Sequence, residues 1–175
     1  MNLSHLKPYI TQSEIALIVA KLGAQISKDY EKDSDLVVIV TLKGAILFAA
    51  DLIRQIKIPM HLDFVRLTSY GSGTESSGNV RILKDIEISP EGKDLLILDE
   101  IVDSGRSLAL LRDRLKDSGA KSLKFCTLLD KPSGRKVEIS VDYVGRTVED
   151  KFLVGYGLDH DEKYRNLADI YSVSS

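Results

Sequence analysis

No stretch of this chain restricts its fold more than Leu95-Leu-Ile-Leu-Asp-Glu-Ile-Val-Asp-Ser-Gly-Arg-Ser-Leu108. Its opening apolar run reads as a strand buried on both faces, the condition met in a parallel sheet covered by helices. The strand ends in two acids, Asp99 and Glu100, crosses two apolar residues, reaches Asp103, and opens through a small-residue turn into a helix marked by Leu108, Leu111 and Leu115. In parallel sheets, ligands gather at the carboxyl ends of strands. The turn Asp103-Ser104-Gly105-Arg106-Ser107 offers backbone N–H groups, two hydroxyls and a helix N-terminus. That set suits a phosphate monoester, and Gly105 lets the backbone approach it closely. Asp99 and Glu100 could hold vicinal hydroxyls or a magnesium ion (Mg²⁺) through oxygen ligands. Taken alone, Asp103 or Ser104 is an ordinary N-capped helix start. Taken whole, the string favours a ligand site.

The rest of the chain repeats the strand–helix–strand rhythm. Thr11-Gln-Ser-Glu14 reads as a capping box, followed by Ile15, Ile18, Val19, Leu22 and Ile26 at helical spacing. Leu36–Val40 is a β-branched buried strand, and Gly44–Ile56 places Ile46, Ala49, Ala50, Ile53 and Ile56 on one helical face. Strands are expected at Leu62–Leu67, Val80–Leu83, Leu123–Leu129, Val137–Val144 and Phe152–Tyr156, with a turn at Pro90–Gly92 and a helix stop at Gly119. Between the second and third strands lies Tyr70–Asn79, rich in glycine and serine, the one candidate mobile loop. The expected architecture is a single α/β domain over residues 1–175, with a mostly parallel central sheet flanked by helices.

Composition narrows the class of function. Hydrophobic residues make up 43% of the 175, an ordinary share that argues against general disorder. No apolar run approaches the roughly 20 residues that span a bilayer, and Met1–Ile10 has no apolar core of a secretory signal. A net charge of −2 argues against nucleic-acid binding. A lone Cys126 in an apolar strand excludes an internal disulfide and suits a reducing cytoplasm. His5, His61 and His160 show no metal-ligand spacing.

The string Leu95–Ser107 resembles the phosphoribosyl-diphosphate signature of type I phosphoribosyltransferases: four apolar residues, two acids, two apolar residues, Asp, Ser/Thr, Gly, any residue, Ser/Thr. Other segments resemble the hypoxanthine-guanine branch of that family. Leu42-Lys43-Gly44 is similar to its diphosphate loop, and Ser69-Tyr70-Gly71 to the start of its closing loop. Leu128-Leu-Asp-Lys-Pro132 is similar to its purine-reading segment, and Lys151-Phe-Leu-Val-Gly-Tyr-Gly-Leu-Asp159 to its base-stacking strand, with Tyr164-Arg165 following. The family usually reads Glu-Asp where this chain reads Asp99-Glu100, and on a strand the two side chains start from opposite faces.

The resemblance implies the type I phosphoribosyltransferase fold, with a small hood formed by the terminal segments. It implies transfer of 5-phosphoribosyl from its α-1-diphosphate to N9 of hypoxanthine or guanine, with Mg²⁺ as cofactor and a homodimer or homotetramer as the assembly. Asp103 is then the general base, and Ser104, Gly105, Arg106 and Ser107 hold the 5′-phosphate. Leu42, Lys43, Gly44 and Arg165 take the diphosphate, with a cis peptide before Lys43. Ser69 and Tyr70 begin the closing loop over about residues 69–80. Lys131 donates to the purine 6-oxo group, Phe152 stacks on the base, and the Leu153 backbone reads its edge. Asp99, Glu100 and Asp159 are the metal ligands, the first two also gripping the ribose hydroxyls. Three other readings compete: a regulator that keeps the fold to sense the phosphoribosyl ligand or RNA, a flavodoxin-like or receiver-type module, and a xanthine-preferring relative. Without the resemblance, Lys131 reads as a surface lysine, Phe152 as core, Asp159 as a turn residue and Arg165 as a solvated cation.

Overall fold

The structure, a computed structural model, describes residues 7–30, 34–69 and 80–173. The loop expected at Tyr70–Asn79 lies outside the described residues.

The capping box forms as read. The Thr11 N–H donates to Glu14 Oε2 at 2.8 Å, and Thr11 Oγ1 accepts from the Glu14 N–H at 3.3 Å. Helix α1 (Gln12–Asp29) buries Ile15, Val19, Leu22, Gly23 and Ile26, the helical stripe of the sequence, with Ile18 packed at its margin. Strands β1 (Leu36–Leu42), β2 (His61–Ser69), β3 (Val80–Lys84), β4 (Asp94–Val102), β5 (Ser122–Asp130) and β6 (Tyr143–Thr147) form one sheet in the order β3-β2-β1-β4-β5-β6. Every neighbouring pair is parallel except β2 and β3.

The period of two in the buried strands divides the core in two. Leu36, Val38, Val40, Leu96, Leu98, Cys126 and Leu128 pack on the side of α1 and α2 (Ile46–Leu52). Val37, Ile39, Leu95, Ile97 and Phe125 face α3 (Arg106–Leu115) through Leu108, Leu111 and Leu115. Burial drives the Cys126 thiol pKa well up, so it stays a thiol. Two acids inside the fold are structural. Burial works against the Asp63 carboxylate, but the backbone N–H groups of Ile88, Phe64 and Glu87 hold its pKa below the ordinary range. Asp94 is held down likewise, by Ser122, Ser34 and Lys121.

Four elements differ from the sequence reading. The second helix covers only Ile46–Leu52, and Phe48, Ala49 and Leu52 are its buried residues, while Ile46 and Ala50 are exposed. The chain turns early because the N–H groups of Gln55 and Ile56 both close on Leu52 O, at 2.8 and 3.2 Å. Strand character does not run through 137–142. There Ile139 and Val141 cover the second core as a strap, while the backbone of Lys136 and Val137 is spent on Ser104 O, at 3.0 and 3.1 Å. Strand β4 does not stop before the acids but carries Asp99 and Glu100 within it to Val102. Finally β7 (Phe152–Val154) ends at Gly155 and pairs antiparallel with an unforeseen β8 (Tyr171–Val173). Ile10 bridges Ile170 through N–H···O bonds of 3.0 and 2.9 Å, so both ends of the chain build the hood. Among the described residues no helix is long and apolar enough to cross a membrane.

The segment Gly145-Arg146-Thr147 serves packing. A Cβ at Gly145 would sit 2.5 Å from Leu128 O and 2.6 Å from Ile18, and Arg146 Nη1 donates to Glu14 Oε1 at 3.1 Å. Glycine lets β6 lie close under α1.

Candidate active site where β1 and β4 diverge

From β1 the chain builds one side of the sheet with β2 and, after returning, the other side with β4, so the strand order reverses at the β1–β4 pair. The ladder between them ends at Val40–Leu98, and beyond it the strand ends part. A cavity of about 340 Å³ opens there, lined by Thr41, Lys43, Asp99, Glu100, Asp159 and Arg165 among others. This is the crevice in which an open parallel sheet holds its ligands.

The two acids share that cavity despite starting from opposite faces of the strand. Thr41 Oγ1 donates to Asp99 Oδ1 at 2.6 Å. The Glu100 carboxylate lies against Gly44, where a Cβ would sit 1.8 Å from Glu100 Oε1. The longer glutamate reaches round the strand end because glycine leaves it room. Burial pushes the Asp99 carboxyl pKa up, against the Thr41 hydrogen bond. Burial, with Asp99 beside it, pushes Glu100 up further. Two acids kept short of counter-charge are poised to accept a cation or hydroxyl donors.

The loop after β1 carries the one cis peptide among the described residues, Leu42–Lys43, as the resemblance implied. Lys43 Nζ pairs with Glu162 Oε2 at 2.8 Å. Arg165 Nη2 lies 2.9 Å from Asp159 Oδ1 and 3.5 Å from Glu162 Oε1, and its Nη1 donates to Gly157 O at 2.8 Å. The structure thus brings Lys43, Asp159 and Arg165 together and adds Glu162, which the sequence reading did not single out. Its only signal was the density of charge from Asp159 to Arg165. Asp161, Glu162 and Tyr164 all take left-handed backbone conformations, with φ of 53°, 60° and 74°. Such strain clusters where a site dictates it. Asp159 does not join Asp99 and Glu100 in a metal cluster. Its carboxylate serves Arg165 and the Glu162 N–H, and among the described residues no three His, Cys, Asp or Glu side chains converge on one point.

Gly157 supports this loop by contact. A Cβ there would lie 2.0 Å from Gly44 O, and its φ is +99°. Gly157→Ala is therefore expected to lose roughly 1–3 kcal/mol to the left-handed backbone and a similar amount to overlap. Thermal unfolding measures the loss, and a Tm within 2 °C of wild type, roughly the smallest shift 1 kcal/mol would give, would show that the loops slide apart freely.

Across β4 lies the small-residue turn. Gly105 takes φ +80°, and Asp103, Ser104, Gly105 and Ser107 line a second, smaller cavity of about 90 Å³. Arg106 opens α3, its N–H 3.5 Å from Ser104 Oγ. Lys131, at the end of β5, is largely buried rather than a surface residue and pairs with Asp103 Oδ2 at 2.8 Å and Asp150 Oδ1 at 3.3 Å. Partial burial works against its charge, but Asp103 and Asp150 hold the ammonium pKa above its ordinary value. The Asp103 carboxylate in turn sits over Gly134, where a Cβ would fall 1.6 Å from Oδ1. Phe152 is not core: it is 44% exposed, edge-on to His160 with ring centroids 5.4 Å apart, while Leu153 beside it is buried. An exposed ring on a hood strand has a face free to meet a planar ligand. Ser69 closes β2, and Tyr70 lies outside the described residues.

Comparison with known proteins bears on this geometry. A family profile described as "Phosphoribosyl transferase domain" matches residues 7–161. A Bacillus subtilis protein named hypoxanthine-guanine phosphoribosyltransferase is 48% identical over 161 residues, 92% of this chain and 89% of its own. The chain belongs to the hypoxanthine-guanine phosphoribosyltransferases. A crystal structure of a hypoxanthine phosphoribosyltransferase from Staphylococcus aureus superposes with a TM-score of 0.90 at 42% identity, over 96% of this chain and 91% of that one. The chain spans a quarter of the length of the bifunctional TilS/HprT proteins of Listeria monocytogenes, to which it is 48% identical over 161 residues. The hypoxanthine-guanine phosphoribosyltransferase family accounts for Asp103–Ser107 and the Lys131 segment, which the flavodoxin-like and receiver-type readings left unexplained.

Proposed function

We propose that the chain transfers 5-phosphoribosyl from 5-phospho-α-D-ribose 1-diphosphate to N9 of hypoxanthine or guanine, releasing diphosphate. The observation that carries this reading is the 2.8 Å pair between Asp103 and Lys131, which joins the phosphate turn to the base-side lysine in one site. Lys131 donates to the 6-oxo group, Phe152 stacks on the purine, and the Leu153 backbone reads its edge. Asp103 takes up proton density near N7 as N9 attacks C1′. Ser104–Ser107 bind the 5′-phosphate at the start of α3. Lys43 and Arg165 meet the leaving diphosphate, with Leu42 and Gly44 shaping its loop.

A divalent cation fits the donor set, which is all oxygen and under-neutralised at Asp99 and Glu100. Mg²⁺, which binds few carboxylates together with substrate oxygens, would suit this donor set. Mg²⁺ supplies neutralisation of the diphosphate oxygens. Asp99 and Glu100 would hold it together with the ribose hydroxyls, while Asp159, in the same cavity, is paired with Arg165.

Residues 1–175 are read as one domain; the closing segment assigned to about 69–80 lies, but for its two end residues, outside the described residues. The exposed Ile46 and Leu47 on α2 support a homodimer or homotetramer, and the reduced Cys126 supports a cytoplasmic location.

Steady-state turnover on hypoxanthine, guanine, xanthine and adenine tests the activity and ranks the bases. Absence of turnover on the first two would overturn it. Lys131→Ala should lower kcat/KM for hypoxanthine by roughly 10–150-fold, the loss of a charge-assisted hydrogen bond. An unchanged kcat/KM would remove Lys131 from the base site.

A further inference from the structure

We propose that Arg135, which lies outside the motifs that place the chain in its family, is a positioning residue that turns the backbone N–H groups of the phosphate turn toward the ligand. The proposal rests on the phosphoribosyl-transfer reading and names the device behind its phosphate site.

Arg135 reaches back from the 3-10 turn Pro132–Gly134 to the end of β4. Its Nη1 donates to Val102 O at 2.8 Å and to Asp103 O at 2.6 Å, while Nη2 pairs with the Asp130 carboxylate. Both members of that ion pair are largely buried, with side chains 19% and 15% exposed. The next two residues continue the grip: the N–H groups of Lys136 and Val137 donate to Ser104 O at 3.0 and 3.1 Å. Three successive carbonyls, of Val102, Asp103 and Ser104, are thereby held on one side. A trans peptide points its N–H opposite to its C=O. The N–H groups of Asp103, Ser104 and Gly105 therefore face away from Arg135, toward the 90 Å³ cavity lined by Asp103, Ser104, Gly105 and Ser107. A row of N–H groups aimed at one point is an anion cradle.

Only a guanidinium does this. Its planar fork serves two carbonyls and a carboxylate at once, whereas an ammonium is a single point donor. The turn packs closely on this arginine: a Cβ at Gly105 would lie 3.1 Å from Arg135 Cδ and 2.8 Å from Val137 O. Arg135 thus never needs to touch the ligand. It acts through the carbonyls of Val102 and Asp103, on the phosphate side of the turn.

The test compares binding of inosine 5′-monophosphate with binding of inosine by titration calorimetry, in wild type, Arg135→Ala and Arg135→Lys. The expected result is that Arg135→Ala loses roughly 10–100-fold in affinity for the monophosphate, the worth of charged hydrogen bonds, with inosine changed less than about twofold. Added guanidinium restores part of the loss in Arg135→Ala, and Arg135→Lys falls between it and wild type. Equal losses for both ligands would mean a merely structural role and overturn the proposal, as would no loss for either. If Arg135→Ala does not fold, the same ratio measured on Arg135→Lys decides. Turnover of hypoxanthine by wild type is scored separately, so failure of the assigned activity is distinguishable from failure of Arg135.

Discussion

Asp103→Asn should yield a folded protein that still binds phosphoribosyl diphosphate yet turns over about 10²–10⁴-fold more slowly, the range typical of a lost general base. The substitution keeps the shape that Gly134 accommodates beneath the carboxylate. The asparagine oxygen can still face Lys131, and Lys131 keeps Asp150 at 3.3 Å, so no buried charge is left alone. What disappears is the group that can take a proton as N9 attacks. In the free protein this carboxylate is paired with Lys131, and on the proposed reading the purine enters between the two and parts them. Its 6-oxo group then replaces Asp103 as the acceptor for the ammonium, and the freed carboxylate becomes available to the ring. Steady-state kcat with saturating substrates checks the effect. A variant that keeps more than about a third of wild-type kcat, far outside that range, would exclude Asp103 as the base.

The same pairing shows which parts of the site could be read from the sequence. Leu95–Leu98 and the residues after it announced a buried strand, a small-residue turn and a helix, and the strand core and the helix stand where they were expected, because these features are local. Strand alternation also predicted two core faces, and both exist. The failures are non-local. Val137, Ile139 and Val141 alternate as a strand would, but their segment lies as a strap over the α3 side, its backbone bonds claimed by Ser104, a residue thirty-odd positions away. Periodicity reports which side chains are buried, not what the backbone bonds to. Nothing in the sequence marks the contacts of Gly44 and Gly157, whose role, letting Glu100 and the facing loop approach, exists only once β1, β4 and the hood are assembled. Glu162 and Arg135 escaped for the same reason: nothing local marks a glutamate that will meet Lys43 across 119 residues, or an arginine that will hold carbonyls 32 and 33 positions back. Phe152 shows the converse. Its composition argued for burial, and only its place on a two-stranded hood, edge-on to His160, leaves it exposed.

Removing the two crevice acids should cripple use of the phosphoribosyl donor while making the unliganded protein more stable. Asp99→Asn and Glu100→Gln preserve shape, so their effects report charge. Each carboxylate is read as gripping the ribose hydroxyls and the donor's Mg²⁺. Loss of one charged hydrogen bond is worth about 1.5–3 kcal/mol, so each variant should raise KM for phosphoribosyl diphosphate roughly 10-fold or more and shift its Mg²⁺ dependence upward. The double variant should do worse, without strict additivity, since both groups act on one ligand. Stability moves the other way. Burial raises both carboxyl pKa values, so above the unfolded carboxylate range the native state holds protons that the unfolded chain has released. The stability these acids allow is then full below the unfolded pKa and is lost as pH rises through the folded one. Glutamine at position 100 has no such slope. The Tm advantage of Glu100→Gln over wild type should accordingly widen between pH 5 and pH 8, measured without ligand. Asp63 and Asp94, shifted downward, bend the common background of both proteins in the opposite sense and cancel in the difference. If both single variants matched wild type in KM and in Mg²⁺ dependence, the paired-acid assignment would be wrong. If the Tm advantage were the same at both pH values, Glu100 would already have its counter-charge in the empty protein, and the cavity would be built for something other than a cation carried in on the substrate.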